Sequence, residues 1–413
     1  MKIKKKRIVV VSTSQPSTNP RLVKEATSLF SAGYDVSVLY TPLSPWADQF
    51  DHCLFKEYPH INWIMAGHHA INNKWKYIFA RVRRKFNQLI FTIFGNVADV
   101  AISSFALFSQ ELNKKAKQLA ADLYIGHNLG ALPTVVKASQ YNGSLCGFDF
   151  EDFHRGEAAQ NSLHWKIAKA TEEKFAPYLN YVSAASSRIA SAYKEYFPQL
   201  DILKVNNCFP LEYASKTLSC LPDRPLKLFW FSQFVGPGRG LDIVIEAMGK
   251  CKGYDIHLTL LGNCTPSTKE FFKALANKNG LSSHQLSFIE PVEEREISKI
   301  ANSHHIGLCT EMPETLNREL CLTNKLFLYL LSGNAILFSD TKAQREFCDQ
   351  FPRIGLVYQH SNANDLASKL TAYCKDPFML ARHRNSALEL GKDQFNWEIE
   401  KQKFLSKIEQ ILK

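Results

Sequence analysis

Long apolar runs are absent from this sequence: none approaches the roughly 20 residues that a transmembrane helix needs. Its ten cysteines are spread singly, and no C-x-x-C pair marks a zinc or redox site. Neither a short repeat nor the G-K-[S/T] ending of a Walker A loop is found. No secretory apolar segment follows the basic residues Lys2–Arg7. We therefore expect a cytoplasmic protein with reduced thiols, without disulfides, zinc or a P-loop.

Basic residues outnumber acidic ones in a chain that is otherwise of ordinary composition. The 413 residues are 45% hydrophobic and include 50 Lys and Arg against 39 Asp and Glu, for a net charge of +11. This length exceeds what one hydrophobic core usually supports, so two domains of about 200 residues are expected. The positive charge favours an anionic partner, which composition leaves open between nucleotide, nucleic acid and lipid headgroup.

Strand and helix patterns alternate along the chain and begin again near its middle. A strand at Arg7–Ser12, a helix at 20–32 and a strand at Asp35–Tyr40 form the first βαβ unit. After a linker-like stretch that ends at Pro225, an apolar strand at Leu226–Phe231 opens a second series. Strands that alternate with helices predict parallel sheets, whose ligands lie beyond the carboxyl ends of the strands.

A glycine-rich segment follows the first strand of the second half. Gly236, Gly238 and Gly240 would let the backbone approach a ligand closely, and Arg239 could form forked hydrogen bonds with phosphate oxygens. A tight turn with a solvated arginine is the alternative interpretation.

The segment Thr323–Gly333 predicts a capped helix at an anion site. Thr323 or Asn324 can cap the helix, Lys325 adds a cation in its first turn, and Gly333 can end it in the left-handed conformation. Free N–H groups at a helix start favour a diphosphate. An ordinary helix with a surface lysine is the alternative.

Polar residues end two predicted strands of the first half. His127 follows one strand, where we expect its side chain to be accessible to a ligand. Asp149, Glu151, Asp152 and His154 follow the other and are candidate binding residues. A structural histidine and a solvated, capped loop are the respective alternatives.

Five segments together resemble a GT-B glycosyltransferase of the family 4-like group of bacterial sugar transferases. They occur in the order that the group shows, and the likeness covers most of the chain. The segments are Pro20–Ala26, Ala121–Leu132, Phe148–Phe153, Gly236–Asp242 and Thr323–Gly333.

The resemblance implies an α/β protein with two Rossmann-like domains that face each other across a cleft. Residues 1–207 would bind the acceptor, 208–392 would bind the nucleotide-sugar, and 393–413 would form a helix that crosses back. His127 would face the cleft and meet the donor sugar or an acceptor hydroxyl, and the acceptor contacts would be Asp149, Glu151, Asp152 and His154. Arg239 and Lys325 would together offset the charge of the departing nucleoside diphosphate. The implied activity is sugar transfer from an activated donor to a saccharide or lipid-linked acceptor in cell-surface glycan biosynthesis. Such enzymes are usually retaining and metal-independent, so no metal, cofactor or general base is assigned. A sugar-nucleotide epimerase and an impaired, non-catalytic partner are the alternatives.

One position departs from the group's paired-glutamate pattern, E-x7-E. Leu328 stands where the second glutamate is expected, which leaves the ribose or sugar contact unassigned. Glu311 and Glu319 have the right mutual spacing, but Glu319 lies fourteen residues before Gly333, so we interpret the spacing as coincidental. Both remain candidate catalytic-site residues, because the loop between 310 and 321 is expected to reach the donor sugar.

Aromatic and basic residues are interleaved in Lys74–Phe91 at roughly helical spacing. Apolar side chains would form one stripe, with cations available for anionic headgroups at the inner face of a membrane. Two other interpretations are a helix whose stripe packs on its own sheet and a nucleic-acid contact. No recognised nucleic-acid motif accompanies the segment, so no nucleic acid is expected.

Overall fold

The computed structural model describes residues 5–69, 73–97, 100–218 and 225–413. The chain divides into two compact units. One unit contains the chain up to Val205 together with Thr315–Asn317 and Lys401–Lys413, and the other contains Asn206–Glu314 and Arg318–Glu400. The predicted linker includes residues 219–224, which lie outside the described residues.

The first unit is a seven-stranded parallel sheet with helices. Its strands are β1 (Arg7–Ser12), β2 (Asp35–Tyr40), β3 (Asn62–Met65), β4 (Leu123–His127), β5 (Leu145–Phe150), β6 (Tyr181–Ala184) and β7 (Ile202–Lys204). Its helices are α1 (Pro20–Ser31), α2 (Asp48–Glu57), α3 (Lys74–Phe94), α4 (Val100–Phe105), α5 (Ser109–Gln118), α6 (Leu132–Asn142), α7 (Leu163–Phe175) and α8 (Ser187–Tyr196). The strand order is β3-β2-β1-β4-β5-β6-β7.

Local sequence accounts for the first βαβ unit. The apolar run Ile8–Val11 is fully buried in β1, as expected for a central strand covered on both faces. Asn19 caps α1 by accepting a hydrogen bond from the Leu22 amide, and Pro20 occupies the first helical position. Gly33 then takes φ +96°, which ends the helix before β2.

The second unit is a six-stranded parallel sheet with helices. Its strands are β8 (Leu226–Phe234), β9 (Ile256–Asn263), β10 (Leu286–Ile289), β11 (Ile306–Cys309), β12 (Ala335–Ser339) and β13 (Gly355–Tyr358). The helices that follow β8 along the chain are α9 (Leu241–Lys250), α10 (Pro266–Lys278), α11 (Glu294–Asn302), α12 (Leu316–Leu320), α13 (Asn324–Ser332), α14 (Lys342–Gln350), α15 (Ala363–Lys375), α16 (Pro377–Asp393) and α17 (Trp397–Leu412). The strand order is β10-β9-β8-β11-β12-β13.

Alternate residues of β8 belong to different cores on the two faces of this sheet. Leu228 and Trp230 lie in one buried cluster, whereas Phe229 and Phe231 lie in the other. A strand that is apolar on both faces is typical of a doubly wound sheet. The predicted α/β class with two parallel sheets is confirmed, and both strand orders follow the Rossmann pattern.

Helix α3 does not pack its apolar stripe on the sheet. Trp75 is 83% exposed and Phe79 66%, while Ala80 and Phe91 on the opposite face are buried. The interpretation of this segment as a helix that covers its own sheet with the stripe is therefore wrong. Among the described helices, none is both long and apolar enough to cross a membrane.

Candidate functional site

The switch point of the second sheet lies between β8 and β11, where the strand order reverses. Ligands of open parallel sheets bind beyond the strand carboxyl ends at such a point. The glycine loop 236–240 follows β8 there, and Thr310 directly follows β11. The Thr310 hydroxyl donates to the carbonyl oxygen of Arg239 at 2.6 Å, which fixes one loop against the other.

Two of the three loop glycines meet a conformational demand. Gly238 and Gly240 have φ angles of +72° and +73°, and Gly240 is the residue before α9. A Cβ on Gly240 would also lie 2.7 Å from the Thr310 carbonyl oxygen. At Gly236, by contrast, a Cβ would meet no described atom within 4 Å. The loop therefore requires glycine at two positions and has open space at the third.

Two guanidinium groups accompany the glycine loop. Arg239 is half-buried, and burial together with the charge of Arg318 lowers its pKa. Arg318 in α12 donates to the Gly238 carbonyl oxygen at 3.2 Å and pairs with Glu314 at 3.4 Å. Glu314 and Glu311 partly offset these two positive charges, and both guanidinium groups lie beside the loop, where they can form forked hydrogen bonds with a phosphate-type ligand. The sequence did not identify Arg318.

Lys325 has an anionic partner within the protein. Its Nζ lies 2.9 Å from Oε1 of Glu311, and the Gln344 amide donates to the other carboxylate oxygen at 2.6 Å. Burial alone would raise the pKa of Glu311, but the charge and hydrogen bond of Lys325 hold it below its usual value. The cation is therefore placed by a carboxylate, and contact of Lys325 or Glu311 with a donor remains a prediction.

The start of α13 offers polar groups that the protein leaves unused. Thr323 is the cap residue and Asn324 the first helical residue, as predicted, and Gly333 ends the helix in the left-handed conformation. The Thr323 hydroxyl is buried and makes no hydrogen bond within the described chain. A buried, unpaired hydroxyl beside free helix N–H groups is a position for a ligand oxygen.

Glu319 and Leu328 both contact other parts of the second unit, and a catalytic role for Glu319 remains a prediction. The Glu319 carboxylate accepts from the Lys342 amide at 3.0 Å and so caps the first turn of α14. Leu328 is completely buried in the core cluster that contains Phe327 and Tyr329. At the position where the family 4-like group carries a glutamate, this protein therefore has an apolar side chain that is surrounded by other apolar side chains.

In the first unit, an ion-pair cluster links α1 to the carboxyl end of β5. The Arg21 guanidinium donates to both oxygens of Asp149, at 2.5 and 2.8 Å, and to the Val205 carbonyl at 2.6 Å. Ser183 donates to Asp149 as well. Although burial opposes ionisation, Arg21 holds the pKa of the Asp149 carboxyl below its usual value. Asp149, a predicted acceptor contact, is completely buried in this cluster.

His127 completes the cluster and is not accessible, contrary to expectation. Its side chain is 0% exposed, with Nε2 3.1 Å from Oε2 of Glu25 and Nδ1 3.6 Å from Oδ2 of Asp149. Burial would lower the pKa of His127, but the charge and hydrogen bond of Glu25 raise it. His127 and Arg21 both contact the buried carboxylates of Glu25 and Asp149, and their positive charges balance the negative charges of these two side chains.

The spacing of Glu25, His127 and Asp149 would by itself suit a metal ion. However, the Arg21 guanidinium uses both oxygens of Asp149. A divalent cation would have to displace that bidentate pair in a fully buried place. The cluster therefore fits a structural ion network better than a metal site.

The acidic loop after β5 is the more accessible part of the predicted acceptor site. Glu151 and Asp152 are half-buried, whereas Asp149 is completely buried. Burial and the charge of Asp152 raise the pKa of Glu151 to about 7, and burial with the charge of Glu157 raises that of Asp152. The Asn317 side chain donates to Asp152 and accepts from the Phe153 amide, both at 2.8 Å. Near neutral pH, the loop therefore holds a partly protonated carboxyl.

His154 is buried beside this loop. Its Nδ1 lies 2.6 Å from Oε1 of Glu157. Burial opposes protonation, yet the hydrogen bond and charge of Glu157 raise the pKa of His154 to about 9. The imidazolium is thus paired inside the unit, and an acceptor contact for it stays a prediction.

Asn128 was missed by the sequence analysis. It directly follows β4 at the switch point of the first sheet and adopts φ +62°. Its Oδ1 accepts from the hydroxyls of Ser12 and Ser14, at 2.9 and 3.1 Å. A non-glycine residue at positive φ is uncommon and often marks a functional position.

The sequence did contain a signal for Arg21 and Glu25. The two residues are four positions apart in the first-helix pattern, so they lie on one face of that helix.

Comparison with known proteins supports the fold. No family model matches the sequence, and no curated protein matches it. Among solved structures, HepE of Anabaena in complex with UDP aligns with a TM-score of 0.72 at 13% identity, covering 98% of this chain and 100% of that one. A glycosyltransferase from Rickettsia africae aligns at 0.70 with 14% identity and full coverage of both chains.

A third structure is similar over the same extent. Sucrose-phosphate synthase from Thermosynechococcus elongatus aligns with a TM-score of 0.72 at 12% identity, over 98% of this chain and 99% of that one. The neighbours are GT-B glycosyltransferases. The predicted GT-B fold is therefore confirmed.

Proposed function

We propose that this protein is a glycosyltransferase that moves a sugar from a nucleotide-activated donor to a saccharide or lipid-linked acceptor. The observation that carries the proposal is the pair Arg239 and Arg318 at the second sheet's switch point. The unused hydroxyl of Thr323 at the start of α13 supports it. The UDP and UDP-glucose complexes of HepE, a protein of the same fold, favour a uridine nucleotide as the first donor to test.

In the proposed step, the bond between the anomeric carbon and the diphosphate oxygen breaks, and its electron pair moves to the diphosphate. The acceptor hydroxyl forms the new bond and gives up its proton to an oxygen of the leaving diphosphate. Arg239 and Arg318 would stabilise the charge that develops there. No side chain is assigned as general base, and transfer is proposed to be retaining and independent of metal.

The acceptor is proposed to meet the loop that contains the half-buried Glu151 and Asp152. A carboxylate and a partly protonated carboxyl can together accept and donate hydrogen bonds to sugar hydroxyls. A role in cell-surface glycan synthesis, in the cytoplasm or at the inner face of a membrane, is part of the proposal. The exposed basic and apolar face of α3 supports this location.

The test is a calorimetric screen of UDP, GDP, ADP, CDP and TDP and their sugars against the full chain. We expect one nucleotide to bind, and Arg239→Ala to weaken it by roughly ten- to a hundredfold, as for loss of a charged hydrogen bond. Arg382→Ala is the matched control, because Arg382 is an exposed arginine of the same unit on α16. Equal affinity in the Arg239 and Arg382 variants would exclude the proposed phosphate site.

Burial of Leu328 in the core favours one second candidate, a non-catalytic partner that keeps the fold. Incubation with the bound nucleotide-sugar and an acceptor distinguishes the two, because an active transferase releases nucleoside diphosphate. Binding without release would identify the non-catalytic partner. Conversion of the donor into an epimer in the absence of acceptor would identify an epimerase instead.

A further inference from the structure

Helix α3 exposes a continuous stripe of large apolar side chains. Six of them follow one another at spacings of three or four residues, which places them on one face of a helix. They are Trp75, Phe79, Val82, Phe86, Leu89 and Ile93, and each is at least half exposed. Contiguous exposed apolar surface on a folded domain marks a contact with another molecule or a membrane.

The opposite face of α3 attaches the helix to its unit. Ala80 packs with Leu107 and Phe108, and Phe91 packs with Ala101 and Ile167. In addition, the Arg84 and Gln88 side chains donate to the Ser104 carbonyl oxygen, at 3.1 and 3.0 Å. The helix is therefore anchored along its length, and the stripe points away from the anchored face.

Basic residues border the stripe on both sides. Lys74, Arg81 and Lys85 lie along one border and Lys76 along the other, and all four are exposed. Arg83 shares the second border, where it pairs with Glu111 at 2.7 Å and lies over the Phe79 ring. The helix itself contains no acidic residue. Basic residues at the edges of an apolar stripe are complementary to a partner surface that has an apolar interior and negatively charged groups at its border.

We propose that α3 lies flat in the interface of an anionic lipid membrane, with its stripe among the acyl chains and its border cations at the headgroups. This geometry is that of an interfacial amphipathic helix. A second protein copy would bring the same positive border against itself and is disfavoured by repulsion. The inference deepens the proposed location, but it does not depend on sugar transfer.

Co-sedimentation of the full chain with vesicles of phosphatidylcholine alone, or mixed with phosphatidylglycerol, tests the proposal. We expect binding to the anionic vesicles, which weakens as salt is added. Lys76→Glu with Lys85→Glu should weaken binding by at least about 25-fold, since each cation contributes roughly fivefold. Lys252→Glu with Lys278→Glu is the control, because it changes the same charge on exposed residues of the second unit.

A second pair of variants tests the stripe separately from the charge. Phe79→Ser with Phe86→Ser should lower affinity for anionic vesicles by roughly tenfold or more, because less apolar surface enters the interface. Phe271→Ser with Phe378→Ser is the matched control, since both phenylalanines are exposed in the second unit. An unchanged circular dichroism spectrum and melting temperature in every variant show that the protein is folded, whether or not it binds a nucleotide. Equal vesicle binding by test and control variants would overturn the proposal.

Trp75 reports insertion directly, because its side chain is 83% exposed in the free protein. Addition of anionic vesicles should shift its fluorescence to the blue and make it quenchable by brominated acyl chains, and Trp75→Phe should abolish both changes. Light scattering in the absence of lipid tests whether a second copy of the protein covers the stripe instead of a membrane. A dimer that dissociates on Phe79→Ser with Phe86→Ser, together with no quenching, would assign the stripe to a protein interface and overturn membrane docking.

Discussion

The Nζ atom of Lys325 lies 2.9 Å from Oε1 of Glu311, and each side chain is only 9% exposed. The charge at the start of α13 is therefore balanced before a ligand arrives. Removing Lys325 alone leaves a buried carboxylate that keeps its hydrogen bond from the Gln344 amide but has lost its cation. Lys325→Met should destabilise the second unit by about 3 to 5 kcal/mol, as for other broken buried pairs.

Denaturant unfolding followed by tryptophan fluorescence measures this change, because the Lys325 ammonium lies 5.5 Å from the centre of the Trp230 ring. Glu311→Gln combined with Lys325→Met is the control, and it should recover most of the loss. The folded-state pKa of Glu311 is depressed, so its stabilising contribution is lost as pH falls below about 4.5. Wild type should weaken more than the double variant over that range, and parallel pH curves would contradict the assignment.

Much of the fold was predictable from sequence because its central strands are apolar on both faces. The predicted bounds of β1 and β2 agree with the structure. Strands β3, β6, β7 and β13 were missed; each has only three or four residues and lies at or next to the edge of its sheet.

The site was less predictable, because side-chain partners distant in sequence decide which polar groups remain accessible. His127 was expected to be accessible, but Glu25, 102 residues earlier, holds its imidazole inside. Lys325 and Glu311 were separate candidates, whereas they form one pair. The glycine loop was easier to place, since positive φ at Gly238 and Gly240 is a local requirement.

Arg21→Ala should destabilise the first unit by about 3 to 5 kcal/mol. The substitution removes both hydrogen bonds to the buried carboxylate of Asp149 and leaves that charge with too few partners. Arg21→Lys should recover only part of the loss, because an ammonium cannot form the forked pair. Denaturant unfolding measures both variants.

Arg7→Ala is the control for this prediction, since Arg7 and Asp35 form an exposed pair in the same unit at 3.1 Å. Exposed pairs contribute about 1 kcal/mol or less. Similar losses for Arg7→Ala and Arg21→Ala would show that the buried cluster is not a main source of stability.

His154→Gln should change how the first unit's stability depends on pH. The folded-state pKa of His154 is about 9 and its ordinary value is 6.5, so its contribution is complete below pH 6.5 and is lost as pH rises to about 9. Wild type should therefore lose up to about 3 kcal/mol relative to the variant across this interval. Unfolding at several pH values measures the difference, and a constant difference across the interval would mean that His154 is not protonated in the folded protein.

Leu328→Glu tests whether the departure from the glutamate pattern can be reversed. Leu328 is fully buried among apolar side chains, so the introduced carboxylate should lower the melting temperature markedly without improving nucleotide affinity. Leu328→Met preserves volume and should cost less than about 1.5 kcal/mol. Thermal melting and calorimetry measure both effects. A stable Leu328→Glu variant with tighter nucleotide binding would show that position 328 reaches the ligand.

Removal of divalent metal should leave the proposed sugar transfer unchanged. Arg239 and Arg318 place two cations beside the glycine loop, and Thr310 fixes the loop by its hydrogen bond to the Arg239 carbonyl. Fixed positive charge at the diphosphate can supply the stabilisation that a metal ion gives in other enzymes.

We expect nucleoside diphosphate release by wild type to change by less than about twofold on addition of EDTA. Arg239→Ala should lower kcat by roughly a hundredfold, as for loss of a transition-state donor. Arg382→Ala controls for the loss of an arginine elsewhere in the unit. If EDTA abolishes release and Mg²⁺ or Mn²⁺ restores it, the charge at the diphosphate comes from a metal, and the two arginines serve to bind the donor.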